Sequence, residues 1–459
     1  MTTSAHRKNQ ESQAEHRPSL PDWLGVIFIT RARSVNKCIT SAQSSSHKKE
    51  LCMQRTLLAG VITALSCTAA WAATPRIVGG DDFTNAPSWM AALQYRVTNG
   101  SYSQFCGATL IDDDWVLTAA HCVDWVELDR LNLLLGQANL NSSAEGIKVD
   151  QLILYPGWIP SWEISSAGGS RAISQFAGDL ALLHIKQAQS ATPITLATPN
   201  QLSSLNQNQN ISAIGWGATD RSGTVYPNQL QGLALPYQGK DATFGLANHI
   251  FAGGEDGENI CFGDSGGPLY LTGTPDVQYG IDSFVTSFGS AITCGDSAGV
   301  SGFTSVADYR DWIQQQLTGL SYTTTQNLAI ITGTAAQANF VIRNNSAQEW
   351  TISSLTSDGG TLTDDCQSAA LQPGSSCNVT LAYTAGQTGS SRIINLSFNA
   401  SSPDDAIAGQ MQLIATAVAD PNSSDDDDGG SGGGAFGQLS LLLLTLLAAG
   451  QRLSRRQRG

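Results

Sequence analysis

The segment Gly263-Asp264-Ser265-Gly266-Gly267-Pro268 constrains this chain more than any other part of its sequence. A serine between glycines, with an aspartate before it, can present an attacking hydroxyl beside free backbone N–H groups. A serine hydroxyl is a weak nucleophile at neutral pH and needs a neighbouring base. The chain therefore has to fold so that distant segments meet at Ser265.

Two upstream segments supply the partners that Ser265 requires. Thr-Ala-Ala-His-Cys contains His121, and an imidazole, which titrates near pH ~6.5, can accept and return a proton. Asp179 opens an apolar run that predicts a strand, and its carboxylate would orient the imidazole. His184 is interpreted as a strand residue, and His249 has no motif around it.

These segments, together with Ile77-Val78-Gly79-Gly80, resemble the chymotrypsin/trypsin-like serine proteases. The resemblance implies a serine endopeptidase that hydrolyses protein or peptide substrates through an acyl-enzyme, with His121 as base, Asp179 as acid and Ser265 as nucleophile. The backbone N–H groups of Gly263 and Ser265 would form the oxyanion hole. No metal or other cofactor is implied. The alternatives are a catalytically inactive protease-like binding module and a surface adhesin.

The same resemblance implies a zymogen. Cleavage after Arg76 would free the α-amine of Ile77, which would pair with Asp264 and order the oxyanion hole. Residues 73–76 would then form an unusually short propeptide. The alternative is that Arg76-Ile77 is simply an exposed bond near a signal-cleavage site.

The primary specificity pocket is predicted to be neutral. Asn259 lies at the position where relatives that cleave after Arg or Lys carry an aspartate, so we expect a preference for uncharged, apolar or aromatic side chains. Specificity for basic side chains stays open if Asp282 or Asp296 reaches into the pocket. By resemblance, the pocket-edge strand consists of Ser287, Phe288 and Gly289.

The nine cysteines give an odd number, which is unusual for a secreted protein. Residues 53–72 are interpreted as a signal peptide, and three cysteines lie within or before it. The other six are assigned as Cys106–Cys122 and Cys261–Cys294, which match the family, and Cys366–Cys377, a local staple. An oxidising compartment follows. Zinc is the alternative for clustered cysteines, but no Cys-x-x-Cys or His/Cys spacing supports it.

Residues 1–52 contain eight of the 24 Lys and Arg residues and show no clear periodicity. They are interpreted as a non-native extension upstream of a true start at Met53, with an unusually long signal region as the alternative. The apolar run within them is too short to span a bilayer.

The predicted fold class is all-β. The resemblance implies that residues 77–320 form a double β-barrel, closed by a helix that begins near Ser305 with a weak capping box. Residues 321–420 contain runs of period-two alternation, as in Val379, Leu381 and Tyr383, which predict antiparallel strands. Roughly 100 residues of this kind suggest an immunoglobulin-like sandwich. No binding chemistry stands out there, so this part is interpreted as a spacer or stability module.

Residues 77–424 contain 30 acidic and 10 basic residues, a net charge of 10 − 30 = −20, which argues against nucleic-acid binding. An Asp/Gly-rich linker, 421–434, precedes a hydrophobic segment with a basic end, 435–459. This tail resembles the GlyGly-CTERM sorting signal of Gram-negative bacteria. It implies export through the periplasm to a secreted or cell-surface location, transient membrane contact, and secretion and tail-processing machinery as partners. A permanent membrane anchor is the alternative.

Overall fold

The computed structural model of the chain describes residues 80–421, apart from 141–142, 167–170, 221, 241–245, 254–256, 274–275, 288–293 and 296–298. Several predictions fall outside the described residues: those on the N-terminal extension, the signal peptide, the Arg76–Ile77 bond, Phe288, Gly289, Asp296, the linker beyond 421 and the tail. Within the described part, no helix has the length and apolar character needed to cross a bilayer.

The first part of the described chain contains fourteen strands and precedes a long helix. The strands are β1 (Asp81–Asp82), β2 (Met90–Arg96), β3 (Tyr102–Asp112), β4 (Trp115–Thr118), β5 (Leu131–Leu135), β6 (Val149–Leu154), β7 (Ala181–Ile185), β8 (Thr195–Leu196), β9 (Asn210–Gly215), β10 (Gln231–Lys240), β11 (His249–Ala252), β12 (Pro268–Leu271), β13 (Val277–Ser287) and β14 (Gly299–Ser305). The helices are α1 (Ala120–Val123), α2 (Ser161–Ser166), α3 (Pro199–Ser203) and α4 (Val306–Thr318), with 3₁₀ turns at Leu128–Arg130 and Ile173–Phe176.

Two sheets make up this part. The first has the order β5-β2-β3-β4-β7-β6, and its central strands β4 and β7 are buried at every position, as their continuous apolar runs require. The second runs β10-β11-β14-β13-β12-β9, and β9 also pairs with β10, which closes a barrel. Strand β1 extends it from β10, and β8 pairs with β13.

Helix α4 packs its buried residues Val306, Tyr309 and Ile313 against the first part, in line with the predicted helical spacing. Ser305 occupies the N-cap position, but its hydroxyl makes no capping hydrogen bond. That hydroxyl is buried without a partner in the described part, so the predicted capping box is wrong.

The second part of the described chain has two four-stranded sheets. Its strands are β15 (Leu320–Tyr322), β16 (Thr325–Ile331), β17 (Ala335–Asn344), β18 (Thr351–Ser357), β19 (Thr361–Asp364), β20 (Ser376–Thr384), β21 (Ser391–Ser401) and β22 (Ala406–Val418). The sheet orders are β15-β17-β20-β19 and β16-β22-β21-β18, and both sheets contribute to one buried apolar cluster. The predicted antiparallel strands are present, since β17 pairs with β20 and β21 with β22 in this way. Strand β16 is an edge strand that pairs in parallel with β22, which the alternation did not indicate.

Three disulfides join the predicted cysteine pairs: Cys106–Cys122, Cys261–Cys294 and Cys366–Cys377. The first ties β3 to α1, which carries His121. Sulfur atoms held in disulfides are not free thiolates, so the ligands that the zinc alternative needs are missing from these three pairs.

Candidate active site

His121 and Asp179 meet because their strands pair. Strand β4 ends at Thr118, two residues before α1, and β7 begins at Ala181, two residues after the aspartate. Thr118 lies opposite Ala181 in the β4–β7 ladder. As a result, His121 Nδ1 is 2.8 Å from Asp179 Oδ2, and the His121 backbone N–H donates to Asp179 Oδ1 at 2.9 Å.

The Asp179 carboxylate is fully buried and has a further donor. The Ser283 hydroxyl donates to its Oδ2 at 2.5 Å, and the Thr304 hydroxyl donates to the Asp179 backbone oxygen at 3.0 Å. Burial alone would raise the pKa of Asp179, but the charge and hydrogen bonds of His121 and the Ser283 hydroxyl lower it below its ordinary value. This carboxylate is therefore ionised at neutral pH.

The electrostatics of His121 reflect the same pair. Burial would lower the pKa of this imidazole, but the charge of Asp179 and its hydrogen bond outweigh burial and raise it, with a smaller contribution from Asp124. With Nδ1 bound to the carboxylate, Nε2 is the ring nitrogen left to exchange a proton with a substrate or nucleophile. The ring is partly accessible, with 23% of the side chain exposed.

The segment around Ser265 lies against the strands that position His121. The Gly107 N–H donates to the Ser265 carbonyl at 2.7 Å. Gly266 has φ +80°, and a Cβ there would lie 2.3 Å from Thr118 Oγ1 and 2.4 Å from the Gly107 carbonyl oxygen. Only glycine fits this contact. It places the residue that follows Ser265 against Thr118, three positions before His121 in the chain.

Two more buried carboxylates lie beside this segment. Asp264 accepts hydrogen bonds from the backbone N–H groups of Gly217 (2.7 Å) and Cys261 (2.8 Å). Burial outweighs these bonds and raises the pKa of Asp264 to about 7. Asp282 is fully buried, and neither of its carboxylate oxygens has a hydrogen-bond partner among the described residues. Burial, and then the nearby Asp264, raise the pKa of Asp282 well above its ordinary value.

Of the four predicted pocket residues, the structure describes Asn259 and Ser287. Asn259 is fully buried, and the Ser301 hydroxyl donates to its Oδ1 at 3.4 Å. Ser287 is the last residue of β13. The serine that touches the acid is Ser283, four residues earlier, so the Ser-Phe pair beside Asp179 is 283–284. Sequence reasoning missed it because two Ser-Phe pairs lie within residues 283–288, and only the register of β13 shows which serine lies beside Asp179.

Sequence reasoning also missed a cluster of aromatic and charged residues next to His121. Phe176 lies edge-on to the His121 ring at 6.1 Å, and Arg171 stacks on Trp158 at 3.8 Å. The buried carboxylate of Asp124 accepts from Trp158 Nε1 at 2.9 Å and lies 3.8 Å from Arg171. Burial raises the pKa of Asp124 to about 6, against the opposing effects of its hydrogen bonds and of Arg171.

An exposed apolar patch borders Gly263 on the other side. We define it by Val225, Tyr226 and Phe262, each more than 40% exposed. A Cβ at Gly263 would be 3.4 Å from the Tyr226 ring, and one at Gly223 would be 2.6 Å from the Phe262 ring. The patch is therefore contiguous with the predicted oxyanion donors.

Known proteins match the part of the chain that contains these residues. The trypsin family model matches residues 77–313. Chymotrypsin-like elastase family member 1 of Homo sapiens is 33% identical over 262 residues, which cover 52% of this chain and 91% of that protein. Phenoloxidase-activating factor 3 of Holotrichia diomphalia is 30% identical over 272 residues, covering 53% and 72%.

A likeness to a solved structure extends over more of the chain. The secreted serine protease VesC from Vibrio cholerae aligns with a TM-score of 0.51 at 21% identity, covering 73% of this chain and 71% of that one. At this identity the likeness concerns the fold alone.

Proposed function

The chain belongs to the trypsin family and is a serine endopeptidase, and from this premise we propose that it works through a His121–Asp179–Ser265 triad. The observation that carries the proposal is the buried His121–Asp179 pair, completed by the Ser283 hydroxyl. An ionised carboxylate at Nδ1 fixes the tautomer that leaves Nε2 ready to act as a base.

In the proposed reaction, Ser265 Oγ attacks the carbonyl carbon of the scissile peptide bond and gives its proton to His121 Nε2. The backbone N–H groups of Gly263 and Ser265 stabilise the oxyanion. The C–N bond then breaks, and the imidazolium returns the proton to the leaving amine. Water, activated by the same imidazole, hydrolyses the acyl-enzyme and restores the Ser265 hydroxyl.

Covalent labelling separates an active enzyme from an inactive binding module. We expect an organophosphate serine reagent to label the protein once per chain, and Ser265→Ala to abolish both labelling and peptide hydrolysis. Rates should fall by about a millionfold, the order seen when a triad nucleophile is removed. Labelling that persists in Ser265→Ala would assign the nucleophile to another residue.

We also propose zymogen activation by cleavage after Arg76. Asp264 supports it, because a buried carboxylate whose pKa is raised to about 7 is a ready partner for an incoming ammonium group. The free α-amine of Ile77 would supply that charge. N-terminal sequencing of active enzyme should begin at Ile77, and Arg76→Gln should remain inactive. Active enzyme that keeps residues 73–76 would overturn the proposal.

For specificity, we propose a preference for uncharged side chains before the scissile bond. The neutral Asn259 side chain supports it, and one relative is by name an elastase. A carboxylate that reaches into the pocket, such as Asp282 or Asp296, would favour basic side chains instead. Peptide-library profiling decides between them, since dominant cleavage after Arg or Lys would exclude the neutral pocket.

We further propose that the protease is exported, with residues 321–420 as an immunoglobulin-like sandwich and the tail as a GlyGly-CTERM signal. The three disulfides and the two four-stranded sheets around one core support export and the sandwich. C-terminal mapping of secreted protein tests the tail. A mature chain that ends near residue 434 supports sorting, and one that keeps residues 435–459 supports an anchor.

A further inference from the structure

The second part of the chain contacts the protease at several places, among them Arg343, which pairs with Asp150, and one short segment that lies nearest to the His121–Asp179 pair. We call residues 324–329 the docking segment; it enters and begins β16, the edge strand of its sheet. An edge strand has unpaired backbone groups that natural proteins usually cover. Here the protease covers part of this edge, since the Ala329 N–H donates to Glu127 Oε1 at 3.0 Å.

The docking segment binds the backbone that follows His121. Asn327 Nδ2 donates to the carbonyl oxygens of Asp124 at 3.1 Å and Val126 at 3.4 Å. Asp124 directly follows α1, and its own N–H donates to the Ala120 carbonyl at 3.0 Å. One amide side chain thus fixes the residues that terminate the short helix carrying the base.

The docking segment also binds the strand beside Asp179. The Leu154 N–H donates to Thr324 Oγ1 at 2.8 Å, and the Thr324 N–H donates to the Leu152 carbonyl at 3.0 Å. Leu154 lies opposite Ala181 in the β6–β7 ladder, two residues after Asp179. The contacts of one segment therefore reach the backbone next to both members of the His–Asp pair.

Asp124 links the docking contact to the imidazole electrostatically. Its carbonyl is held by Asn327, while its buried carboxylate is held by Trp158 and Ser161. The charge of this carboxylate adds to the effect of Asp179 in raising the pKa of His121. Movement of Asp124 would therefore change both the position of α1 and the electrostatic potential at the His121 imidazole.

We propose that the docking segment positions the His121–Asp179 pair, with Thr324 and Asn327 as positioning residues, so that the second part of the chain is required for full turnover. This inference rests on the proposed triad. It replaces the interpretation of residues 321–420 as a spacer, because a spacer has no reason to bind the backbone beside both groups.

The test compares two double variants in the full chain. Thr324→Val with Asn327→Ala removes the docking side-chain bonds. Thr380→Val with Asn339→Ala is the matched control, because Thr380 Oγ1 donates to Asn339 Oδ1 at 2.9 Å within the second part. For the docking pair we expect kcat to fall by about 10- to 100-fold with KM changed less than about twofold, as a small misplacement of a catalytic group would cause. The control should match wild type.

The pH profile separates positioning from stability. The acid limb of kcat/KM should move to lower pH in the docking pair, because His121 loses part of the negative field that raises its pKa. A docking pair with a lower melting temperature but unchanged kcat and acid limb would overturn the proposal. If that double variant does not fold, Asn327→Ala is compared with Asn339→Ala by the same criteria, and unchanged kinetics there overturn it equally. Wild-type protein that begins at Ile77 and that no organophosphate labels would instead refute the triad.

Discussion

Two regions of buried carboxylate, Asp179 in one and Asp264 with Asp282 in the other, differ in the hydrogen bonds that they accept. Asp179 accepts two hydrogen bonds from His121 and one from Ser283, and its pKa is lowered. Asp264 accepts only two backbone N–H bonds, and Asp282 has no hydrogen-bond partner in the described part. Their pKa values are raised, Asp264 to about 7.

The difference shows that burial alone does not decide the charge of a carboxylate. Where donors and an imidazole converge, the ionised form is favoured despite desolvation. Where a buried carboxyl group has backbone donors only, as Asp264 has, or no donor in the described part, as for Asp282, the neutral form is favoured. The first region suits the proposed role of Asp179 in orienting the base, and the second suits the proposed pairing of Asp264 with the Ile77 ammonium group.

The largest effect is expected when the first region loses its charge. Asp179→Asn should lower kcat by roughly 10,000-fold at neutral pH, because an amide stabilises the wrong imidazole tautomer. Peptide hydrolysis measured beside Asp129→Asn, a change at an exposed aspartate, checks this. A loss smaller than tenfold would mean that Asp179 does not orient the base.

The carboxyl groups of the second region should affect the pH dependence of the free energy of unfolding rather than the rate of catalysis. In an unprocessed Arg76→Gln chain, Asp264 stays protonated up to about pH 7, whereas the unfolded chain ionises near 3.8. The native state then binds the extra proton, so the free energy of unfolding should fall by on the order of 4 kcal/mol as pH rises from about 4 to 7.

Denaturant titrations of the Arg76→Gln chain across this pH range measure that fall. Asp282→Asn in the same background should reduce it, since the asparagine takes up no proton. Processed enzyme should also show less of it, because the new ammonium group would hold Asp264 ionised. If the free energy of unfolding has the same pH dependence in the Arg76→Gln chain, in the same chain with Asp282→Asn and in processed enzyme, the proposed difference between the two regions is wrong.

The smallest effect is expected at Ser283, which supplies one donor to Asp179. Ser283→Ala should lower kcat/KM by about 10- to 150-fold, since a hydrogen bond to a charged group contributes about 1.5–3 kcal/mol. Ser287→Ala is the informative comparison, because it alters the other Ser-Phe pair. A larger loss at 287 than at 283 would restore the assignment made from sequence.

The candidate triad residues could be named from the sequence because each lies in a distinctive local motif. His121, Asp179 and Ser265 were predicted in this way, and so were the three cysteine pairs that the structure joins. The alternation around Val379 likewise indicated strands, and β20 spans Ser376–Thr384.

The supporting residues could not be predicted, because their roles depend on register and on long-range contact. Ser283 and Ser287 are indistinguishable until β13 is paired with β14. Asn327 lies about 200 positions from the carbonyl groups it binds, and nothing in its local sequence marks it. The absence of partners for Asp282 in the described part is equally invisible before the strands around it are placed.

The apolar patch beside Gly263 offers a practical route to measuring complex formation. Fluorescent dyes that brighten in apolar surroundings should adsorb on Val225, Tyr226 and Phe262, since contiguous exposed apolar surface is uncommon on soluble proteins. A peptide extending past the scissile bond would displace the dye. Ligand occupancy could then be titrated on Ser265→Ala protein without any bond being cut.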